Sequence, residues 1–251
     1  MKPVLWHIPI SHYNEKGRWA LAYKGVEHER RAPMPGAHQL IALALTRGAV
    51  ATLPVLRLDG RNIGDSTAII AALEERYPDP PLYPADPAER ARALELEDFF
   101  DEELGPYIRL YAYHQLMTDR EGFARVAQTM APRPLRRAAA PMARAMVTAR
   151  FHTNDEARVA EAHDKVLAAL DRLDAELDGN DYLVGESFSV ADLTAASLFY
   201  PLVTPAEGPR IPGTTEGFER FRAPLRERPG YRWVEEMFAR HRKPAGLAAA
   251  R

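Results

Sequence analysis

The spacing of apolar positions changes along the chain, and the change divides it in two. Val4-Leu5-Trp6-His7-Ile8 is a short β-rich run. Residues 13–24 then place Trp19, Ala20, Leu21 and Tyr23 on a helical segment, and Gly25 supplies a C-terminal stop. Val26–Arg31 reads as a second strand, and a short helix is predicted over residues 37–45. Pro54 leads the strand Val55–Leu58. Asp59-Gly60 follows as a hairpin turn, because both residues tolerate positive φ, and Asn62-Ile63 continues into a return strand. From Ser66 to Arg76, Ile69, Ile70 and Leu73 recur at helical spacing. The predicted order is β-α-β, then α, then β-β-α.

Residues 78–87 carry five prolines (Pro78, Pro80, Pro81, Pro84 and Pro87), a stretch too stiff and too poor in N–H donors for a helix interior. Beyond it everything reads helical. One long helix is predicted from about Ala88 to Met117, then a stretch broken by Pro132, Pro134 and Pro141, then a helix over Asp155–Leu177. Ser189-x-x-Asp192 opens a further apolar helix with a hydroxyl and an acid at the spacing of a reciprocal cap. Pro224–His241 supplies the last. The fold class is therefore α/β followed by all-α, with residues 1–80 as the first domain, 81–87 as the linker and 88–251 as the second.

Composition narrows the classes. The 251 residues suffice for two moderate domains with a sizeable core. A net charge of -2 gives no global attraction to nucleic acid or anionic membrane. The absence of cysteine excludes disulfides, a cysteine nucleophile and a thiolate metal site, and it fits an intracellular setting. The longest apolar run, Leu193–Val203, is too short for a membrane span of roughly 20 residues, and Met1–Val4 lacks the start of a signal peptide. A cytoplasmic protein is expected, without membrane, nucleic-acid or metal partners.

Two charge clusters stand out. Residues 95–103 hold six acids, and residues 122–154 hold six arginines with no acid or lysine. Either the two segments pair, each exposed pair adding ~0–1 kcal/mol, or the arginines form a basic lid over a cleft and favour anionic ligands. The arginine stretch lacks the interleaved aromatics of a nucleic-acid platform.

The candidate chemistry lies in the first eighty residues. Ser11 falls between the first strand and the first helix, where a hydroxyl and a helix N-terminus both favour an anion. A hydroxyl, a strand-leading proline and the Asp65-Ser66 helix start are the parts needed to hold a small anionic thiol. A free thiol titrates near ~8.5, and lowering that by about two units corresponds to ~2.7 kcal/mol.

Ser11-x-x-Asn14 with Arg18, Gly36-x-His38, Leu53-Pro54-Val55-Leu56, Asp65-Ser66-x-Ala68-Ile69 and Phe188-Ser189-Val190-Ala191-Asp192 together resemble the cytosolic glutathione transferase superfamily, in its serine-type, bacterial-like form. The resemblance covers most of the chain. It implies a thioredoxin-like N-terminal domain that binds glutathione as co-substrate, followed by a helical bundle. Ser11 would face the sulfur, with Tyr13 and Asn14 as rivals. Leu53 and a cis Pro54 would meet the cysteinyl portion, with Asn14 close by. Asp65 and Ser66 would hold the γ-glutamyl end. His38 would reach the glycyl carboxylate, with Arg47 as a substitute cation, because Thr52 stands where many relatives carry lysine or glutamine.

Tyr107, Tyr111 and His114, with Tyr113 beside them, share a face of the long helix; that face is either the second-substrate pocket or bundle core. Arg18 and Asp192 read as structural. The implied function is transfer of the glutathione thiolate to an electrophilic small molecule, a detoxification chemistry, by a homodimer. The alternative is a non-catalytic binding or interaction protein that kept the fold. Thiol–disulfide exchange through an enzyme cysteine is excluded.

Overall fold

The computed structural model describes residues 2–34, 36–131, 133–210 and 214–242. The first half contains β1 (Val4–Trp6), α1 (His12–Tyr23), β2 (Glu29–Arg31), α2 (His38–Thr46), β3 (Val55–Leu58), β4 (Arg61–Gly64) and α3 (Ser66–Arg76). The strands form a four-stranded sheet in the order β2-β1-β3-β4. β1 runs parallel to β2 and antiparallel to β3, with Leu5 opposite both Arg30 and Leu56. Asp59 and Gly60 turn β3 into β4 at φ 48° and 81°. The period of two sends Leu5, Leu56 and Leu58 to one face, where Trp19, Leu21, Ile69, Ile70 and Leu73 of α1 and α3 cover them. Val4, Trp6 and Val55 face the other way, onto Ala42 of α2. This is the thioredoxin-like arrangement.

The helical half contains α4 (Pro87–Phe99), α5 (Gly105–Thr118), α6 (Arg120–Met130), α7 (Arg136–Phe151), α8 (Glu156–Leu177), α9 (Val190–Val203), α10 (Glu216–Arg222) and α11 (Pro229–His241). α9 is buried along its whole length and packs against α1, α4, α5 and α11, so one core runs through both halves. Its start carries the expected capping box. Ser189 donates from its N–H and its hydroxyl to one Asp192 oxygen, both at 2.8 Å, and Leu183 N–H donates to the other at 2.8 Å. Burial nevertheless raises the Asp192 carboxyl to about 6, against those donors.

Three predicted elements differ. The single helix over 88–117 is broken by a π turn at Phe100–Leu104. Pro106 has no N–H to donate to residue 102, and the wider turn absorbs the loss. The proline-interrupted stretch is not irregular: it folds as α6 and α7, with Pro134 in a short 3-10 turn and Pro141 accepted inside α7. Pro132 lies outside the described residues. The last predicted helix is a 3-10 turn, Ala223–Glu227, followed by α11, which starts afresh at Pro229.

Among the described residues the acids of 95–103 find their partners outside the 122–154 segment. Glu95 pairs with Arg92 and Arg172, Glu97 and Asp101 with Lys16, and Glu103 with Lys165. Among the described residues no helix is long and apolar enough to cross a membrane.

Candidate functional site

A cavity of about 930 Å³ opens between the two halves. Its N-terminal wall is built on the loop before α1. Ser11 caps that helix, and its Oγ accepts from the Asn14 N–H at 3.4 Å and from Asn14 Nδ2 at 2.8 Å. Both lone pairs are engaged, so the Ser11 O–H, with no acceptor among the described residues, is left to donate into the cavity. Asn14 itself is buried and does not line the cavity. Its Nδ2 also donates to the Leu53 carbonyl at 3.0 Å, and its Oδ1 accepts from Ile8 N–H at 2.9 Å. It fastens the serine loop to the loop before Pro54.

The same loop is held from behind. Arg18 donates to the Ile8 and Pro9 carbonyls at 3.1 and 3.0 Å, and Tyr200 of α9 donates to the Ile10 carbonyl. Arg18 also pairs with Glu15 at 2.7 Å, and Glu15 receives Arg242 from beyond α11. Burial pushes the Glu15 carboxyl up, but the two guanidiniums outweigh it and hold it below the usual carboxylate range. Arg18 Nη1 donates to His7 Nδ1 at 2.9 Å, and burial, followed by the Arg18 charge, lowers His7 to about 3. Arg18 is thus structural, and Glu15, which the sequence reading passed over, completes its site.

Two neighbours of Ser11 are committed elsewhere. His12 donates from Nε2 to the Gly105 carbonyl at 2.8 Å, and burial together with the Arg109 charge lowers it to about 3, so it stays neutral. The Tyr13 hydroxyl donates to the Asp101 carbonyl at 2.6 Å, and burial raises its pKa. Gly105 makes that contact possible: a Cβ there would lie 2.1 Å from the Tyr13 oxygen.

The opposite end of the N-terminal wall is the start of α3. Asp65 adopts φ 76°, a strained value for a residue with a side chain, and its Oδ1 caps Thr67 N–H at 2.9 Å and Ala68 N–H at 3.3 Å. Asp65, Ser66 and Thr67 all line the cavity. Behind them the buried Lys16 ammonium joins Thr67, Glu97 and Asp101 at 2.9, 2.8 and 2.6 Å. Burial raises the Glu97 carboxyl against the pull of Lys16.

Between these ends lie Thr52, Leu53 and Pro54, the last in a cis peptide bond, and Gly36, His38 and Gln39 at the start of α2. Burial and the Arg150 charge lower the His38 pKa. Arg47 is exposed at the C-cap of α2 and does not line the cavity, so Gln39 and Arg150 are the polar groups found near His38 instead.

The helical wall departs most from expectation. Tyr107, Tyr111 and His114 do not line the cavity. Tyr111 packs against Phe221 with centroids 4.7 Å apart, Tyr107 lies under Lys165, and His114 donates to the Thr153 carbonyl at 2.8 Å. The adjacent face of α5 lines it instead, with Arg109, Ala112, Tyr113 and Leu116. From the arginine-rich segment Arg150 reaches the cavity; Arg136 and Arg137 are exposed and off it. Among the described residues no group of His, Cys, Asp and Glu is placed to hold a metal ion.

Comparison with known proteins bears on the family and the fold. The family model for the glutathione S-transferase N-terminal domain matches residues 5–81, and that for the C-terminal domain matches residues 135–240. A maleylacetoacetate isomerase of Rattus norvegicus is 34% identical over 119 residues, 46% of this chain and 55% of that protein, so the match spans little more than half of the relative. A glutathione S-transferase of Xanthobacter autotrophicus superposes with TM-score 0.65 at 22% identity, covering 95% of this chain and 93% of the other. The theta-class enzyme of Xanthomonas axonopodis, solved with glutathione bound, superposes with TM-score 0.58 at 24% identity over 93% of this chain and 97% of the other. With a domain model on each side of the proline linker and the two-domain fold shared along nearly the whole chain, this protein belongs to the glutathione S-transferase superfamily.

Proposed function

We propose that the protein is a glutathione-dependent transferase in which Ser11 stabilises the thiolate of bound glutathione for attack on an electrophilic small molecule. The observation that carries this reading is the Ser11 hydroxyl. Its acceptor sites are filled by Asn14, its O–H has no acceptor among the described residues, and Ser11 lines the cavity. The residues present fit glutathione. Asp65 brings a carboxylate to the ammonium of the γ-glutamyl end, and Ser66 and the start of α3 serve its carboxylate. The Leu53 backbone is held in place through Asn14 for the cysteinyl portion. His38 and Gln39 lie at the glycyl end. When bound, glutathione supplies the nucleophile. The chain supplies an O–H donor, a helix N-terminus and a loop that needs no rearrangement to present them. Tyr13 is unsuited to the role, because its proton is held by Asp101.

The name of the rat relative favours a second reading, in which the acceptor is a small unsaturated acid released as an isomer. The two readings separate at the product, which gains the mass of glutathione in the first and keeps its own mass in the second. A homodimer remains part of the proposal and is checked by light scattering.

The test is titration of glutathione by calorimetry, followed by turnover of a chlorodinitrobenzene acceptor in wild type and Ser11→Ala. Binding with activity that collapses in Ser11→Ala is expected. Binding without turnover of any acceptor points to the non-catalytic alternative, and no binding removes the proposal.

A further inference from the structure

Arg109 differs from Arg222 and Asp101, the paired charges of the cavity wall. Arg222, on the same wall, is neutralised by Glu219 at 2.8 Å and donates to Thr204 at 2.8 Å. Asp101 is tied to Lys16 and Thr67. Arg109 has no carboxylate within ion-pair distance among the described residues, and its Nε is buried without a hydrogen-bond partner. A guanidinium left this way normally finds an anion, since a buried unpaired donor on a charged group is costly. Its guanidinium carbon lies over the Tyr13 ring at 5.7 Å and the Phe151 ring at 5.0 Å. The rings hold the group in place without neutralising it. Arg150, likewise without a carboxylate partner among the described residues, lines the same cavity, between Arg109 and His38 in its electrostatic reach. Tyr113, Leu116 and Val147 add an aromatic and aliphatic surface beside the two charges.

We propose that Arg109 is the anchor for a carboxylate on the second substrate, with Arg150 reinforcing the field, so that the acceptor is an electrophile carrying an acidic group beside an apolar body. This rests on the glutathione reading above, which places the tripeptide along Ser11, Leu53 and Asp65. Arg109 enters the cavity from α5, on the helical half, with its charge over the Tyr13 ring. The planar fork suits a carboxylate, whose two oxygens pair with two N–H groups at once.

The probe is nitrobenzoate, which resembles an acidic acceptor but has no leaving group, set against its methyl ester. Both are titrated by calorimetry into wild-type protein saturated with glutathione. Wild type should bind the acid about tenfold more tightly than the ester, the preference expected for a charge-assisted hydrogen-bonded pair. Arg109→Gln should remove most of that preference, Arg109→Lys should keep part of it, and Arg150→Gln should reduce it about twofold to threefold. Equal binding of acid and ester by wild type would overturn the inference, and that measurement needs no variant to fold. So would an unchanged preference in folded Arg109→Gln, or displacement of nitrobenzoate by glutathione, which would give the cation to the tripeptide. Glutathione titrated alone keeps the two proposals distinct: failure to bind removes the transferase reading, whereas normal binding with no acid preference removes the anchor only.

Discussion

The two walls of the cavity are built on opposite rules. On the N-terminal wall the polar groups of the serine loop are used up. The Ile8, Pro9 and Ile10 carbonyls, the Ile8 N–H and both acceptor sites of Ser11 have partners, and one hydroxyl proton is left over. On the helical wall, Arg109 and Arg150 lie beside aromatic rings with no carboxylate partner among the described residues. The first wall is a fixed instrument aimed at one atom. The second is an open receptor whose partner must come from outside. The difference teaches where rigidity and where specificity reside: a donor meant for a thiolate gains from being immobile before the ligand arrives, while a cation meant for a varied acceptor gains from having no internal competitor.

The comparison breaks most completely if the loop can be loosened without cost. Arg18→Met removes the donor to the Ile8, Pro9 and Ser11 carbonyls and leaves Glu15 with Arg242. Loss of one member of a buried ion network is expected to cost about 3–5 kcal/mol, read as a fall in the denaturant midpoint. A variant as stable as wild type would mean that the loop is held by packing alone. Acidification reads the same network through the Glu15 carboxyl. Its folded pKa lies below the unfolded value, so its stabilisation is full above the unfolded pKa and is lost as pH falls through the folded one. The wild-type protein should therefore lose stability on acidification through that window, and Arg18→Met should lose less.

Next in size is Ser11→Ala. If the hydroxyl lowers the bound thiol by about two units, its removal costs ~2.7 kcal/mol, a hundredfold in the ionisation constant and about twenty-five-fold in thiolate population, and so in turnover, at neutral pH. The deficit should shrink as pH rises toward the free-thiol value, because the thiol then ionises without help. The ultraviolet absorbance of the bound thiolate, followed against pH, reads the same shift directly. A deficit constant with pH would give Ser11 a positioning role instead.

How far these walls were legible from residues alone follows the same division. The thiol side is local: Ser11, Leu53-Pro54 and Asp65-Ser66 each sit at a strand–helix junction that turn and capping rules identify, and all of them line the cavity. Asn14 was legible as a member of the site but not as a residue behind it, because its partners, Ile8 and Leu53, converge only when β1, α1 and the Pro54 loop pack. The helical wall was left open between pocket and core, because the spacing of Tyr107, Tyr111 and His114 shows that they share a face and not what that face meets. The π turn at Phe100–Leu104 inserts extra backbone into a helix that advances about 100° per residue. Beyond that turn Arg109, Ala112 and Tyr113 face the cavity, while Tyr107, Tyr111 and His114 do not line it. Hydrophobicity gave no warning, since both faces of α5 carry tyrosines. The Gly105-Pro106 pair was the available signal for a disturbance at that point.

Gly105 also joins the two walls. Its missing side chain admits the Tyr13 hydroxyl, and its carbonyl receives His12. Gly105→Ala should cost about 1–3 kcal/mol by overpacking and should push Tyr13 off the Asp101 carbonyl. If activity survives with the tyrosine displaced, the walls act independently. If turnover and thermal midpoint fall together, the alignment of the two walls is itself part of the machinery.

The smallest expected effect is the sharpest on chemistry. Asp65 has two roles that the geometry overlays: its Oδ1 caps α3, and its charge faces the cavity. Asp65→Asn separates them, since an amide oxygen still accepts from Thr67 and Ala68 while the negative charge is gone. Stability should stay within about 0.5 kcal/mol of wild type, as for a surface substitution that keeps its cap. Glutathione should bind about fivefold more weakly, the ~1 kcal/mol of a partly exposed ion pair. The weakening should diminish in high salt, because screening removes from the wild type what the substitution removes from the variant. Unchanged affinity at low salt would leave Asp65 as a cap and nothing more, and the ammonium of the tripeptide would have to be met by Asp101 behind it.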